Sequence, residues 1–222
     1  MSLATKITLS DKELSLATNA EWVLTKQMII EKVYHLFAQT IPGIKLLLLN
    51  EQALLPEEVI SSVPKIYKGE NYLQLPYVML DYPRCFNREN IFAVRTMFWW
   101  ANFFSITLHV SGDHVNAVRE NLLRNKKLIG SEFFIGVNEN QWEHHFEANN
   151  FLPYQQLDIT QQIKLFEQND FIKLALKFDL YQWNSMPALL HEGYKKIAAL
   201  ISNCPGGEKV LSPGTPITGS GL

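Results

Sequence analysis

Two spacings of apolar residues alternate along this chain, a period of two and a period near 3.6, and each predicts a different element. The period of two is cleanest from Phe171 to Asp179. There Ile172, Leu174, Leu176 and Phe178 share one side, and Lys173, Ala175, Lys177 and Asp179 share the other. Such a pattern predicts an antiparallel strand with one wet face. The stretch Tyr72–Gly112 contains three further β-like runs: Leu75–Tyr82, Ile91–Trp99 and Phe103–Val110. It holds 10 of the chain's 26 aromatic residues, a concentration that suits a pleated, half-buried surface. Pro76 marks the first run as an edge strand or as a strand beginning at that residue. YPRCFNREN reads as the turn after it. Glu132–Val137 is a fifth strand.

Between these runs the helical period takes over. Ser10 with Glu13 forms a capping box for a short first helix. Asn19 caps a second, in which Trp22, Val23, Met28, Ile29, Val33, Leu36 and Phe37 recur at helical spacing until Pro42-Gly43 ends it. Ile44–Leu49 fits a strand or a helix equally, because the run is too short for its period to decide. Pro56-Glu57-Glu58 makes a helix first turn, spent by Pro64. After the Gly112-Asp113 turn, Val115, Val118, Leu122 and Leu123 form the apolar side of a helix closing near Gly130. Trp142–Glu147 suggests a short helix, and Asp158 with Gln161 caps another through Ile163, Leu165 and Phe166. Asn184 or Ser185 caps the last, with Pro187 in its first turn and Leu189, Leu190, Tyr194, Ile197, Leu200 and Ile201 inward. Helices flanking hairpin-connected strands predict an α+β fold: a mostly antiparallel sheet of about five strands in one domain, residues 1–203. Residues 204–222 are rich in Gly and Pro and read as a flexible tail.

Trp100-Ala101-Asn102 is a hairpin connection that sets Trp99 opposite Phe103. The period of two then puts Phe92, Val94, Phe98, Phe104, Ile106, Leu108 and Val110 on one face, with Thr96 its lone polar member. The reverse face carries Arg95, Met97, Trp99, Phe103, Ser105, Thr107 and His109. Arg95 falls across from Thr107 and His109 across from Ala93. Tyr77, Met79 and Asp81 join one side if the preceding strand pairs alongside. An aromatic wall with a few convergent polar groups is the usual makeup of a small-molecule site. The candidate residues are therefore Asp81, Arg95, Trp99, Thr107 and His109. Arg95 offers a fork of donors to an anion, and His109 a proton near neutral pH. In the plainer arrangement, Asp81 is simply the structural partner of Arg95. Three uses follow for the face: a binding module for a small anionic ligand or another protein, an enzyme with Arg95 and His109 as anion anchor and acid/base, or a self-assembly surface.

Composition narrows this little. With 20 basic and 22 acidic residues the net charge is −2, which gives no reason to expect nucleic acid or an anionic membrane. Two cysteines, Cys85 and Cys204, are too few for a Cys-based zinc site, and reduced thiols fit a cytosolic protein. Arg84 beside Cys85 is a neighbour able to lower a thiol pKa. Glu143, His144, His145 and Glu147 are metal-capable, but their order matches no zinc-protease or di-iron spacing. No metal or other cofactor is expected, and no glycine-rich phosphate loop or nucleophile elbow occurs. The N-terminus lacks the apolar core of a secretory signal, and no apolar run reaches the ~18 residues of a membrane span. The chain reads as soluble and cytoplasmic.

Overall fold

The computed structural model describes residues 7–50, 55–87, 89–167 and 170–202, and in it the predicted hairpin forms in the predicted register. Ile91–Trp99 (β3) and Phe103–Ser111 (β4) pair antiparallel, with Trp99 opposite Phe103 and Arg95 opposite Thr107. Ala101 in the connection takes a φ of 58°, the left-handed backbone that a tight hairpin demands of one residue. Leu75–Phe86 (β2) lies beside β3 and Phe171–Asp179 (β7) beside β4. Lys65–Tyr72 (β1) adds to β2, while Phe133–Gly136 (β5) and Phe151–Pro153 (β6) follow β7. The result is a seven-stranded sheet of order β1-β2-β3-β4-β7-β5-β6, antiparallel at every pairing.

The five expected strands are all present, and the two additional ones, β1 and β6, are the sheet's edges. Edge strands need little apolar alternation, and KIYKGENY and the three-residue FLP show little. Pro76 sits near the start of β2, which β1 keeps from being an edge. The segment expected to turn after Tyr82 stays in β2 as far as Phe86, with a bulge between Asp81 and Arg84.

Among the described residues, six α-helices complete a single α+β domain. Asp11–Ala17 (α1) carries the reciprocal Ser10–Glu13 cap. Ala20–Asn50 (α2) runs straight through Pro42, where termination was expected. Proline inside a helix costs about 3 kcal/mol. The apolar stripe nevertheless continues past it, Ile44 and Leu48 being buried in phase with Val33 and Phe37, and that burial outweighs the lost bond. Glu57–Ile60 (α3), Asp113–Arg124 (α4), Ile159–Glu167 (α5) and Met186–Ile201 (α6) begin where the caps and prolines placed them, but α4 ends at Arg124, with a separate 3-10 turn over Lys126–Leu128 before the Gly130 at which closure was expected. Among the described residues no helix is long and apolar enough to cross a membrane. The tail, with Cys204, lies outside the described residues.

The main core is the even-numbered face of β3 and β4, with Val78 and Leu80 from β2, packed under α2, α4 and α6. Thr96 is satisfied there by a 2.7 Å hydrogen bond with Tyr194. Gly193 lets α6 lie close on the sheet, since a Cβ there would stand 2.6 Å from Ile106 Cδ1.

Candidate functional site

Period-two geometry carries all five candidate residues to the odd-numbered face. Asp81 pairs with Arg95, Arg95 with Thr107, and Trp99 with Phe103, while His109 lies between Ala93 and Lys173. Asp81 retains 3 % of its accessible surface, Arg95 8 %, His109 2 % and Lys173 2 %, so the face is closed. This corrects the reading of β7 as half wet: only Lys177 and Asp179 of that side reach solvent, while Lys173 and Ala175 are buried.

The cover is the β5–β6 connection, residues 137–150, and not a helix. Asn138 and Asn140 explain why Trp142–Glu147 is non-helical. The Asn138 side chain accepts from the Asn140 N–H at 2.7 Å, and the Asn140 side chain from the Trp142 N–H at 3.1 Å. Such local bonds give the backbone an alternative to the helix. Phe146 is the apolar anchor, its ring centroid 4.9 Å from Phe103, 5.0 Å from Phe134 and 4.7 Å from Phe151. At the other end Tyr72 Oη accepts the backbone N–H of His144 at 2.7 Å and of His145 at 3.0 Å, and donates to Glu143 at 3.0 Å. Lys173 Nζ donates to the Glu143 carbonyl.

Beneath this cover the polar groups are nearly all committed. Arg95 binds Asp81 through both Nε (2.7 Å) and Nη2 (3.0 Å), the bidentate geometry of a strong charge-assisted pair. Its Nη1 lies 3.3 Å from His144 Nε2. A guanidinium only donates, so that ring is neutral with its proton on Nδ1. Burial opposes the charge on Arg95, but the Asp81 hydrogen bond and charge prevail and raise its pKa. Burial pushes His109 down to about 4, with Lys173 and Arg95 adding to the effect and the Gln141 hydrogen bond opposing it. His144 is lowered strongly, by burial first and then by Arg95 and Lys173. Burial and Arg95 bring Lys173 down to about 8. Trp99 Nε1 is buried with no hydrogen-bond partner among the described residues.

At the His109 end the closed face borders surface clefts. His109 Nε2 lies 2.9 Å from Gln141 Oε1, and the His109 ring meets Trp142 at 5.5 Å and Phe171 at 6.3 Å. Gln141 and Phe171, with Asp170, line two surface clefts of about 560 Å³ and 700 Å³.

Comparisons with protein-family models, with curated proteins and with solved structures found no match.

The sequence brought Asp81, Arg95, Trp99, Thr107 and His109 to one face but missed Tyr67, Tyr72, Gln141, His144 and Lys173. Tyr67 Oη donates to Asp81 at 3.2 Å from a strand the pattern did not predict. The asparagines of 138–150 were the available signal for a loop. Among the described residues, the metal-ligand grouping that does form lies elsewhere, at Glu58, Cys85 and His114, and not within 142–147. Cys85 is not activated by Arg84 either, because burial and then Glu58 push its thiol pKa up.

Proposed function

We propose that the protein is a cytoplasmic binding module without chemistry of its own, which takes a small polar ligand at the paired clefts in front of His109. The observation that carries this reading is the convergence of both clefts on Gln141, Asp170 and Phe171, two of which contact the innermost histidine of the closed face. Each cleft falls in the ~300–1,000 Å³ range of small-molecule sites. The expectation of an anion rested on Arg95, whose fork is held by Asp81. The clefts themselves carry Glu89, Glu139, Glu167 and Asp170 against Arg119 and Lys164. That balance favours a ligand bearing an amine or other positive group.

The catalytic alternative gains no support from His109, because a base that stays neutral down to about pH 4 is poorly matched to proton transfer near neutrality. Self-assembly through the odd face requires residues 137–150 to leave it first. A thermal-shift panel of small amines, carboxylates and phosphates tests the proposal. An amine that raises the Tm of the wild type but not of Asp170→Asn or Gln141→Leu supports it. A ligand whose shift survives both substitutions, or a response to anions alone, overturns it.

A further inference from the structure

The bulge in β2 has a chemical result. Before it, Asp81 faces the odd side with Arg95; after it, Cys85 pairs with Phe92 and faces the even, helix-covered side. One extra residue in a strand reverses the direction of every side chain beyond it. Cys85 is thereby turned toward α3 and the first turn of α4, where Glu58 and His114 stand. One ligand atom from each residue, the Cys85 Sγ, a His114 ring nitrogen and a Glu58 carboxylate oxygen, lies within 4.8 Å of the others.

We propose that Glu58, Cys85 and His114 form a zinc(II) site with an open fourth position. The independent observation is His114. Its side chain retains only 7 % of its accessible surface, and its Nε2 has no hydrogen-bond partner among the described residues. A buried imidazole nitrogen without a partner costs about 1–3 kcal/mol, and such groups are rare unless a ligand satisfies them. That nitrogen faces the site, 3.4 Å from Glu58 Oε1 without making a hydrogen bond to it. Two ligands at about 2.0–2.2 Å from a tetrahedral zinc ion are themselves roughly 3.4 Å apart. The Phe92 ring, edge-on at 6.0 Å, fixes the imidazole plane. Thiolate, imidazole and carboxylate together suit zinc(II) over magnesium or calcium, which take oxygen donors. Glu58 is exposed, so the fourth position faces water, as in zinc sites with three protein ligands. The ion would join three elements far apart in sequence, and by binding only the folded chain would stabilise it.

Cobalt(II) is the probe. The full chain is stripped with a chelator, dialysed and titrated with cobalt(II), which in a tetrahedral thiolate site shows intense visible d–d bands and a near-ultraviolet thiolate charge-transfer band. The expected result is both signals saturating at one equivalent, displaced by zinc(II), with the charge-transfer band lost in Cys85→Ser and kept in Cys204→Ser. Glu58→Gln, at an exposed position that leaves folding intact, should weaken cobalt(II) binding by more than about tenfold, the smaller end of what loss of a group merely supporting a ligand costs. Absence of the bands in the wild type, a charge-transfer band that survives Cys85→Ser or vanishes in Cys204→Ser, or unchanged affinity in Glu58→Gln would each overturn the assignment.

Discussion

The even face of β3 and β4 and its odd reverse are both buried, but they are closed by different physics. Three amphipathic helices shut the even face, and its single polar side chain, Thr96, has a single partner, Tyr194. A loop shuts the odd face, and there Arg95, Asp81, His109 and Lys173 lie under it, joined to one another and to the loop's His144, Gln141 and Glu143 by hydrogen bonds and one ion pair. The first arrangement is non-directional and gains stability in proportion to apolar area. The second depends on each partner being present, because a buried charge left alone costs far more than a pair contributes. The odd face should therefore be more sensitive to single substitutions than its size suggests, and more tolerant of paired ones.

The largest test of that contrast is Arg95→Met. It leaves the Asp81 carboxylate buried without its cation and should cost about 3–5 kcal/mol in denaturant unfolding. Arg95→Met with Asp81→Leu should return most of the loss, since two apolar groups need no partner. If the double variant is as unstable as the single one, the ion pair holds the cover by something more than mutual neutralisation, and the contrast between the faces is deeper than charge.

This pair also marks what could be read from the sequence. The period of two from Ile91 to Val110, with Trp100-Ala101-Asn102 as the turn, was sufficient to assign both faces, the hairpin register and the Arg95–Thr107 neighbourhood, because one residue of slip would carry Arg95 and His109 into the apolar face under the helices. Caps and prolines located most helix ends for the same local reason. Pro42 failed as a terminator because burial of Ile44 and Leu48 is a tertiary effect, invisible to the local rule. Lys173 was misread because its alternation is real while the cover over it comes from a connection whose path no periodicity encodes. Cys85 was read as part of a turn, whereas it stays in β2 beyond a bulge that the alternation does not encode.

Acid gives the next test, and an intermediate effect. His109 binds its proton near pH 6.5 in an unfolded chain but only at about pH 4 in the fold. Between those values the unfolded state holds more protons, so acid favours it. The contribution is complete above about pH 6.5 and is lost as pH falls through 4, a difference of roughly 3 kcal/mol by linkage. Urea midpoints from pH 7 to pH 4 should decline less steeply for His109→Gln than for the wild type. His144 acts in the same sense and leaves part of the slope in place. An identical slope in the variant would mean that His109 is solvated and its face open.

The smallest expected effect discriminates most sharply between the two closures. Tyr72→Phe removes one hydroxyl, yet that oxygen serves the backbone N–H groups of both His144 and His145 as well as Glu143. Two half-buried amides lose their acceptor, at a cost of about 1–3 kcal/mol. Because the loop has no helical bonds to fall back on, the loss should be local: amide exchange across residues 142–146 should accelerate while the α6 core amides change only with global stability. The counterpart on the even face is Thr96→Val with Tyr194→Phe, which removes the lone polar pair together and should be nearly neutral, with no local opening. Were Tyr72→Phe to slow or spare exchange in 142–146, the cover would be held chiefly by Phe146 in its aromatic cage. The odd face would then be closed by the same apolar packing as the even one, with its polar network only an occupant.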